Sequence, residues 1–214
     1  MNRVMNSFQH ATTGHRAAFL VMAVLLLQAC TMGGQMLKEA DSSSIIADNE
    51  IIVVGTIELI PALGKEEQEL SPSGVIDLAG YGGMNRNRAM IQFNNQPEAS
   101  NYKFLINPKL DEMFFFKIPA DLKYVVDGRV IVELGRRGAV SEILLPTGLK
   151  IDARPGDKAV YIGNLKYTRD DFNSITGVKL TDEYKSAVRQ FRTRFGGKYK
   201  LRKAIVKPIP PRSG

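Results

Sequence analysis

The sequence predicts a mainly β protein, an antiparallel β-sandwich with one C-terminal amphipathic helix packed on it. Three observations carry this. About eight to ten runs rich in Val, Ile, Phe and Tyr recur after residue 50, divided by short stretches of Gly, Pro, Asn and Asp. No long helical pattern alternates with them, which disfavours an α/β sheet built from crossovers. One apolar stripe of helical period occurs, near the C-terminus. The 214 residues suit one domain with extensions, and 44% apolar content is enough for a real core.

In order, the first strand is Ile51–Ile60, β-branched and ended by Pro61. Gly64–Ser73 is a polar connection, and Val75–Leu78 fits a short strand or a cap. Ala79–Arg88 is a Gly-rich loop whose spacing matches neither the dinucleotide glycine fingerprint nor a phosphate loop. Strands follow at Ala89–Asn94, Tyr102–Asn107 and Glu112–Ile118. The last holds Phe114, Phe115 and Phe116 in succession, which puts rings on both faces and predicts a central, buried strand. A lipid- or glycan-binding aromatic patch is the functional alternative. Leu122–Val126 and Arg129–Glu133 flank Asp127-Gly128, a link that predicts a hairpin with Tyr124 opposite Ile131. Ile143–Leu145 stops at Pro146, and Leu149–Ala153 and Lys158–Ile162 flank a second turn dipeptide, Pro155-Gly156.

The helix spans 181–195. Thr181 caps it, with Asp182 and Glu183 in the first turn, where the helix dipole favours acids. Tyr184, Ala187, Val188, Phe191 and Phe195 make its apolar stripe, and Lys185, Arg189, Arg192 and Arg194 lie off it. Gly196-Gly197 ends it. Lys203–Val206 adds a last strand, and residues 208–214 form an exposed Pro-rich tail.

The N-terminus has a different character. Arg3 and Arg16 precede eleven uncharged residues, Ala17–Leu27, too short to span a bilayer but right for the apolar core of a secretory signal. Leu27-Gln28-Ala29-Cys30 follows, and Cys30 is the only cysteine. This segment resembles the lipobox signal of bacterial lipoproteins. The resemblance implies cleavage before Cys30, acylation of its thiol and new amino terminus, and durable attachment to membrane lipid without a transmembrane helix. Thr31 in place of Asp resembles the lipoproteins sorted to the outer membrane, facing the periplasm, in a diderm host. Residues 1–29 are then the signal, 30–49 a flexible tether, and 50–207 the sandwich domain.

Cleavage would also remove both histidines, His10 and His15, leaving neither His nor Trp. Nucleophilic systems that need a histidine base are then excluded, and no metal site or cofactor is expected. A glycosidase-like pair of carboxylates stays open. Its raw material is Asp111-Glu112, Asp170-Asp171 and Asp182-Glu183, but sequence neighbours point apart on a strand, and Asp170 and Asp171 suit a turn. All 22 acids lie between Glu39 and Glu183, while ten basic residues and no acid follow from Lys185 onward. Such a segment attracts anionic envelope polymer or lipid; nucleic acid is not expected of a secreted chain. The candidate ligand-binding residues are Tyr81, Arg86 and Arg88 in the Gly-rich loop and Lys198, Lys200, Arg202 and Lys203 in the basic segment. The expected role is a non-enzymatic binding or assembly module with an envelope partner. The alternatives are a carboxylate-dependent hydrolase and a structural subunit of a surface apparatus.

Overall fold

The computed structural model describes residues 35–68, 87–97, 104–134 and 139–209. The signal segment with Cys30, the Val75–Leu78 run, Tyr81 and Arg86 lie outside the described residues. The chain begins with β1 (Gln35–Met36), β2 (Glu50–Ile60), a four-residue helix α1 (Lys65–Gln68), β3 (Ala89–Asn94), β4 (Phe104–Ile106) and β5 (Phe114–Pro119). It continues through β6 (Tyr124–Leu134), β7 (Ala139–Leu144), β8 (Leu149–Lys150), β9 (Ala159–Arg169) and β10 (Ile175–Thr181). It ends with α2 (Tyr184–Phe195), β11 (Leu201–Lys203) and β12 (Lys207–Pro208).

These strands form two sheets. One runs β1-β4-β3-β6-β8-β12, with β7 also on β6. The other runs β10-β9-β2-β5, with β11 also on β9. Mainly β architecture is therefore observed, but both sheets are mixed, not antiparallel. β2 pairs parallel with β9, β11 parallel with β9, and β1 parallel with β4. The reason is topological. All the strands of the seven-stranded sheet except β1 and β12 lie between β2 and β9 in sequence, so the chain returns through a long excursion, not a hairpin.

Both sheets feed one core. Ile51, Val53, Ile57 and Leu59 of β2 and Val160, Ile162, Leu165 and Tyr167 of β9 meet Ile91, Phe93, Val125, Val130, Val132 and Ile143 of the seven-stranded sheet. The core-facing parity of β9 switches from even to odd between Ile162 and Leu165, where the ladder skips a residue. Two glycines make that irregularity possible. Gly163 has φ +104°, and a Cβ there would stand 2.7 Å from Leu180 Cδ1. Gly55 opposite would bring a Cβ to 2.8 Å from the Gly163 carbonyl.

The other face of the five-stranded sheet carries a second cluster. Ile52, Val54, Phe115, Ala159 and Tyr161 pack against Ala187, Phe191 and Phe195 of α2. The expected apolar stripe is therefore the buried one, and each fully buried Phe contributes roughly 1.5–3 kcal/mol. Phe191 and Phe195 stack at 4.7 Å, and Phe195 meets Phe115 edge-on at 5.8 Å.

Several expectations are corrected. Asp127-Gly128 is not a turn: both lie inside the continuous strand β6, opposite Gln92 and Ile91 of β3. Tyr124 and Val125 pair with Lys150 and Leu149 of β8, not with Ile131 and Val130. Glycine suits position 128 for closeness, since a Cβ would lie 3.1 Å from Ile91 Cδ1 and 3.2 Å from Leu145 Cβ. Phe114–Phe116 are buried as expected, each 4% exposed, which removes the aromatic-patch alternative. Their strand is the last of its ladder, though, and Glu39 bridges Phe116 to cover that edge. Thr181 closes β10 and does not cap α2; the helix begins at Tyr184, and Asp182 Oδ1 accepts the Tyr184 N–H at 3.1 Å. Its end at Gly196, φ +62°, is as expected. Pro208, expected in the exposed tail, pairs with Leu149 in a short ladder, and the Ile209 N–H donates to the Gly148 carbonyl at 2.8 Å; residues 210–214 lie outside the described residues.

The described part of the expected tether, residues 35–49, is a docked strap. Gln35 and Met36 pair with β4, and the Ala40 N–H donates to the Phe115 carbonyl at 2.7 Å. Ala40 and Ile46 are buried. The Tyr199 hydroxyl accepts from the Ile46 N–H at 3.2 Å and donates to the Ser44 carbonyl at 3.3 Å. The apolar residues that do this, Leu37, Ala40 and Ile46, are spaced too irregularly among polar ones to mark a strand.

Candidate functional site

The basic segment is divided by the fold into cations that hold the structure and cations that face outward. Arg202 belongs to the first group. Its Nε donates to Asp157 Oδ1 at 2.9 Å and its Nη2 to Oδ2 at 2.6 Å, joining β11 to the Pro155-Gly156 turn. The Arg202 hydrogen bond holds the Asp157 carboxyl below the usual carboxylate range. Lys203 pairs with Asp182 just before α2. Arg88 donates to the Asn107 carbonyl at 2.6 Å beside its bridge to Lys109, so it ties a loop together. These three candidate binding residues thus have structural partners, and Lys198 is a fourth through the Ser44 carbonyl.

Lys198 and Lys200 are exposed. Lys198 Nζ donates to the Ser44 carbonyl at 3.1 Å and lies 5.2 Å from the Tyr199 ring centroid. Lys200 lines a groove of about 290 Å³ between the C-terminal end of α2 and residues 196–201. Val188, Phe191 and Leu201 give this groove apolar walls, Tyr184 and Tyr199 give it rings, and Arg192 joins Lys200 as its second cation. The Tyr184 hydroxyl donates to the Leu201 carbonyl at 2.6 Å, fixing one side. Arg192 was legible only as an outward residue of the helix; what brings it beside Lys200 is the turn at Gly196-Gly197, a contact that no local sequence signal encodes.

A wider groove of about 610 Å³ is lined by Asp48, Asp121, Lys123, Arg154 and Asp157 together with Pro119, Ala120, Ala153 and Pro155 among others. Two of its three acids are engaged by cations. Asp48 is ion-paired to Lys158 at 2.9 Å and Asp157 to Arg202, and both are held below the usual range by those hydrogen bonds. A general acid requires the opposite shift.

The three acidic neighbour pairs diverge. Asp170 Oδ1 accepts the N–H groups of Phe172 and Ser174 at 2.9 and 2.8 Å, the turn role expected of it. Asp182 turns to Lys203, and Glu183 lies 3.9 Å from Lys166. Glu112 pairs with Lys109. Asp111 is the exception in electrostatics. Burial pushes its carboxyl up, and the charge of Glu58 adds to the shift. Glu58 itself is bound to Lys166 at 2.8 Å. Neither groove is lined by Asp111 or Glu58.

Two further features were not legible. Arg169, whose side chain is 6% exposed, grips Glu67 through both carboxylate oxygens and donates to the carbonyls of Pro61 and Ala62 at 3.0 Å. Phe172 is 89% exposed at the tip of the β9–β10 hairpin, and β10 pairs only with β9 among the described residues. Among those residues no cluster of three metal-ligating side chains occurs, and no helix is long and apolar enough to cross a membrane. No protein-family model, curated protein or solved structure matches the chain.

Proposed function

We propose that the chain is an envelope lipoprotein, acylated at Cys30, whose sandwich-like two-sheet domain serves as a non-enzymatic binding or assembly module at the membrane. In a diderm host the site is the periplasmic face of the outer membrane. The observation that carries this reading is the strap. Five residues after Cys30 the chain is already paired to β4, and at Glu39 it closes the edge of β5. A lipid on Cys30 would therefore hold a firmly built body close to the bilayer, at most about 18 Å of extended chain from Gln35. Acids engaged by neighbouring cations support the non-enzymatic part.

The test is Cys30→Ser with cell fractionation and mass spectrometry of the wild-type N-terminus. The expected outcome is a mature product starting at an acylated cysteine, and an unprocessed or soluble variant. Membrane retention of a Cys30→Ser chain that has lost residues 1–29, or an unmodified thiol in the mature wild-type product, would refute the reading.

One observation favours a second reading, a structural subunit of a surface apparatus. The β9–β10 hairpin presents Phe172 at its tip, Val178 on its exposed face and an unpaired strand edge among the described residues. Crosslinking in intact cells from a photoreactive residue at position 172 tests it. A single repeated partner, lost in Val178→Lys, supports assembly through this hairpin; no adduct opposes it.

A further inference from the structure

The outer side of α2 carries a row of exposed cations. Lys185, Arg189 and Arg192 recur at i, i+4 and i+7, so they share one stripe, and all three are exposed. Lys198 and Lys200 in the turn after the helix are exposed too, and Lys200 lines the same groove as Arg192. Among the described residues, no carboxylate lies within ion-pair distance of any of the five. The nearest acids along the chain do not neutralise them, because Asp182 is committed to Lys203 and Glu183 stands toward Lys166. The flanking groove has an apolar floor beneath two of these cations. In the strap Ile45 is 77% exposed, one residue beyond the carbonyl held by Lys198 and by Tyr199, a residue of the groove. Cations around an apolar floor and an exposed aliphatic chain are the complement of an anionic lipid surface, headgroup outside and acyl region within.

Chain geometry brings such a surface within reach. Arg194, on the same helix, contacts Glu39 at 3.2 Å and donates to the Ala40 carbonyl at 2.8 Å. Glu39 is nine residues from Cys30, at most about 32 Å of extended chain. We infer that the basic stripe of α2, with its adjoining groove and Ile45, docks on anionic phospholipid headgroups of the membrane that anchors the chain. This deepens the lipoprotein reading and rests on it for the geometry. Anchor and stripe act together: the acyl group raises the local concentration of headgroups, and the cations orient the domain.

The experiment uses the full chain recovered from membranes and a single added fluorophore. The chain has no Trp, so Ile45→Trp gives one unambiguous emission. Flotation with neutral phosphatidylcholine vesicles reads the anchor alone. Blue-shifted emission and quenching by brominated lipid on vesicles containing phosphatidylglycerol read the docking. Each cation near an anionic leaflet is worth about fivefold in affinity, so Arg189→Gln/Arg192→Gln/Lys200→Gln should weaken docking at least tenfold, as should high salt. Arg192→Lys alone should leave it intact, and thermal melting checks that the variants fold.

Flotation with unshifted emission on anionic vesicles overturns the docking and leaves the anchor standing. Salt-sensitive, blue-shifted binding to anionic vesicles without flotation on neutral ones overturns the anchor and supports the docking. Capture of wild-type but not variant by peptidoglycan or polyglutamate, with no shift on vesicles, assigns the stripe to a polymer or acidic protein and overturns the lipid proposal.

Discussion

Arg169 and Arg192 are the same residue type in opposite settings. The first ends β9 with its guanidinium enclosed, gripping Glu67 and two carbonyls of the segment after β2. The second stands on the outside of α2 beside an open groove. Charge counting cannot separate them, yet removing each has different consequences. A buried cation in a bidentate pair becomes part of the fold, because its loss leaves a half-buried carboxylate and two backbone carbonyls without their donor. An exposed cation interacts weakly with its own chain and stays available to something else.

The sharpest break of this contrast is Arg169→Leu. It should destabilise the domain by about 3–5 kcal/mol in denaturant titration, and Arg169→Leu/Glu67→Leu should recover most of that. A loss below about 1 kcal/mol would put Arg169 in the same class as Arg192. Next comes Phe191→Ala, expected to cost about 3 kcal/mol, because the aromatic cluster under α2 loses its centre. A neutral result would mean that α2 is not docked, and with it that the basic stripe is not held in place.

Acid titration sharpens the comparison further. Glu67 is held below its ordinary range by the Arg169 hydrogen bond, and Asp157 by that of Arg202. A depressed folded-state pKa stabilises above the unfolded value and is lost as pH falls through the folded one. Stability should therefore decline from about pH 4.5 downward, and Arg169→Leu should flatten that decline in urea midpoints measured across pH. The smallest effect is expected for Arg192→Gln and Lys200→Gln, within about 0.5 kcal/mol of wild type by thermal melting. A larger loss would show that the stripe is structural.

What the sequence made legible was local. The β-rich runs, the stop at Pro61, the glycine end of α2 and its buried stripe all follow from propensities and spacing within a few residues. Asp127-Gly128 failed because a dipeptide preference is small against pairing with β3 on one side and close packing against Leu145 on the other. β10 went unread because an edge strand, half exposed and interrupted by Gly177, lacks the apolar run of a buried one. The strap was unreadable for a related reason: its anchoring residues, Leu37, Ala40 and Ile46, sit in a stretch with the composition of a linker. At the candidate site, the cationic character of the C-terminal segment was legible. Which of its members are ion-paired was not, since Asp157 and Asp182 reach Arg202 and Lys203 from 45 and 21 residues away.

The parallel ladder between β2 and β9 has a kinetic consequence. Ile52 meets Ala159 only after more than a hundred intervening residues have been synthesised, and the strap needs Tyr199 later still. Loops of that size close slowly, so β2 gains its β5 neighbour well before its β9 neighbour. The five-stranded sheet of this topology therefore closes only after residue 159 has been made, however early its first strand emerges.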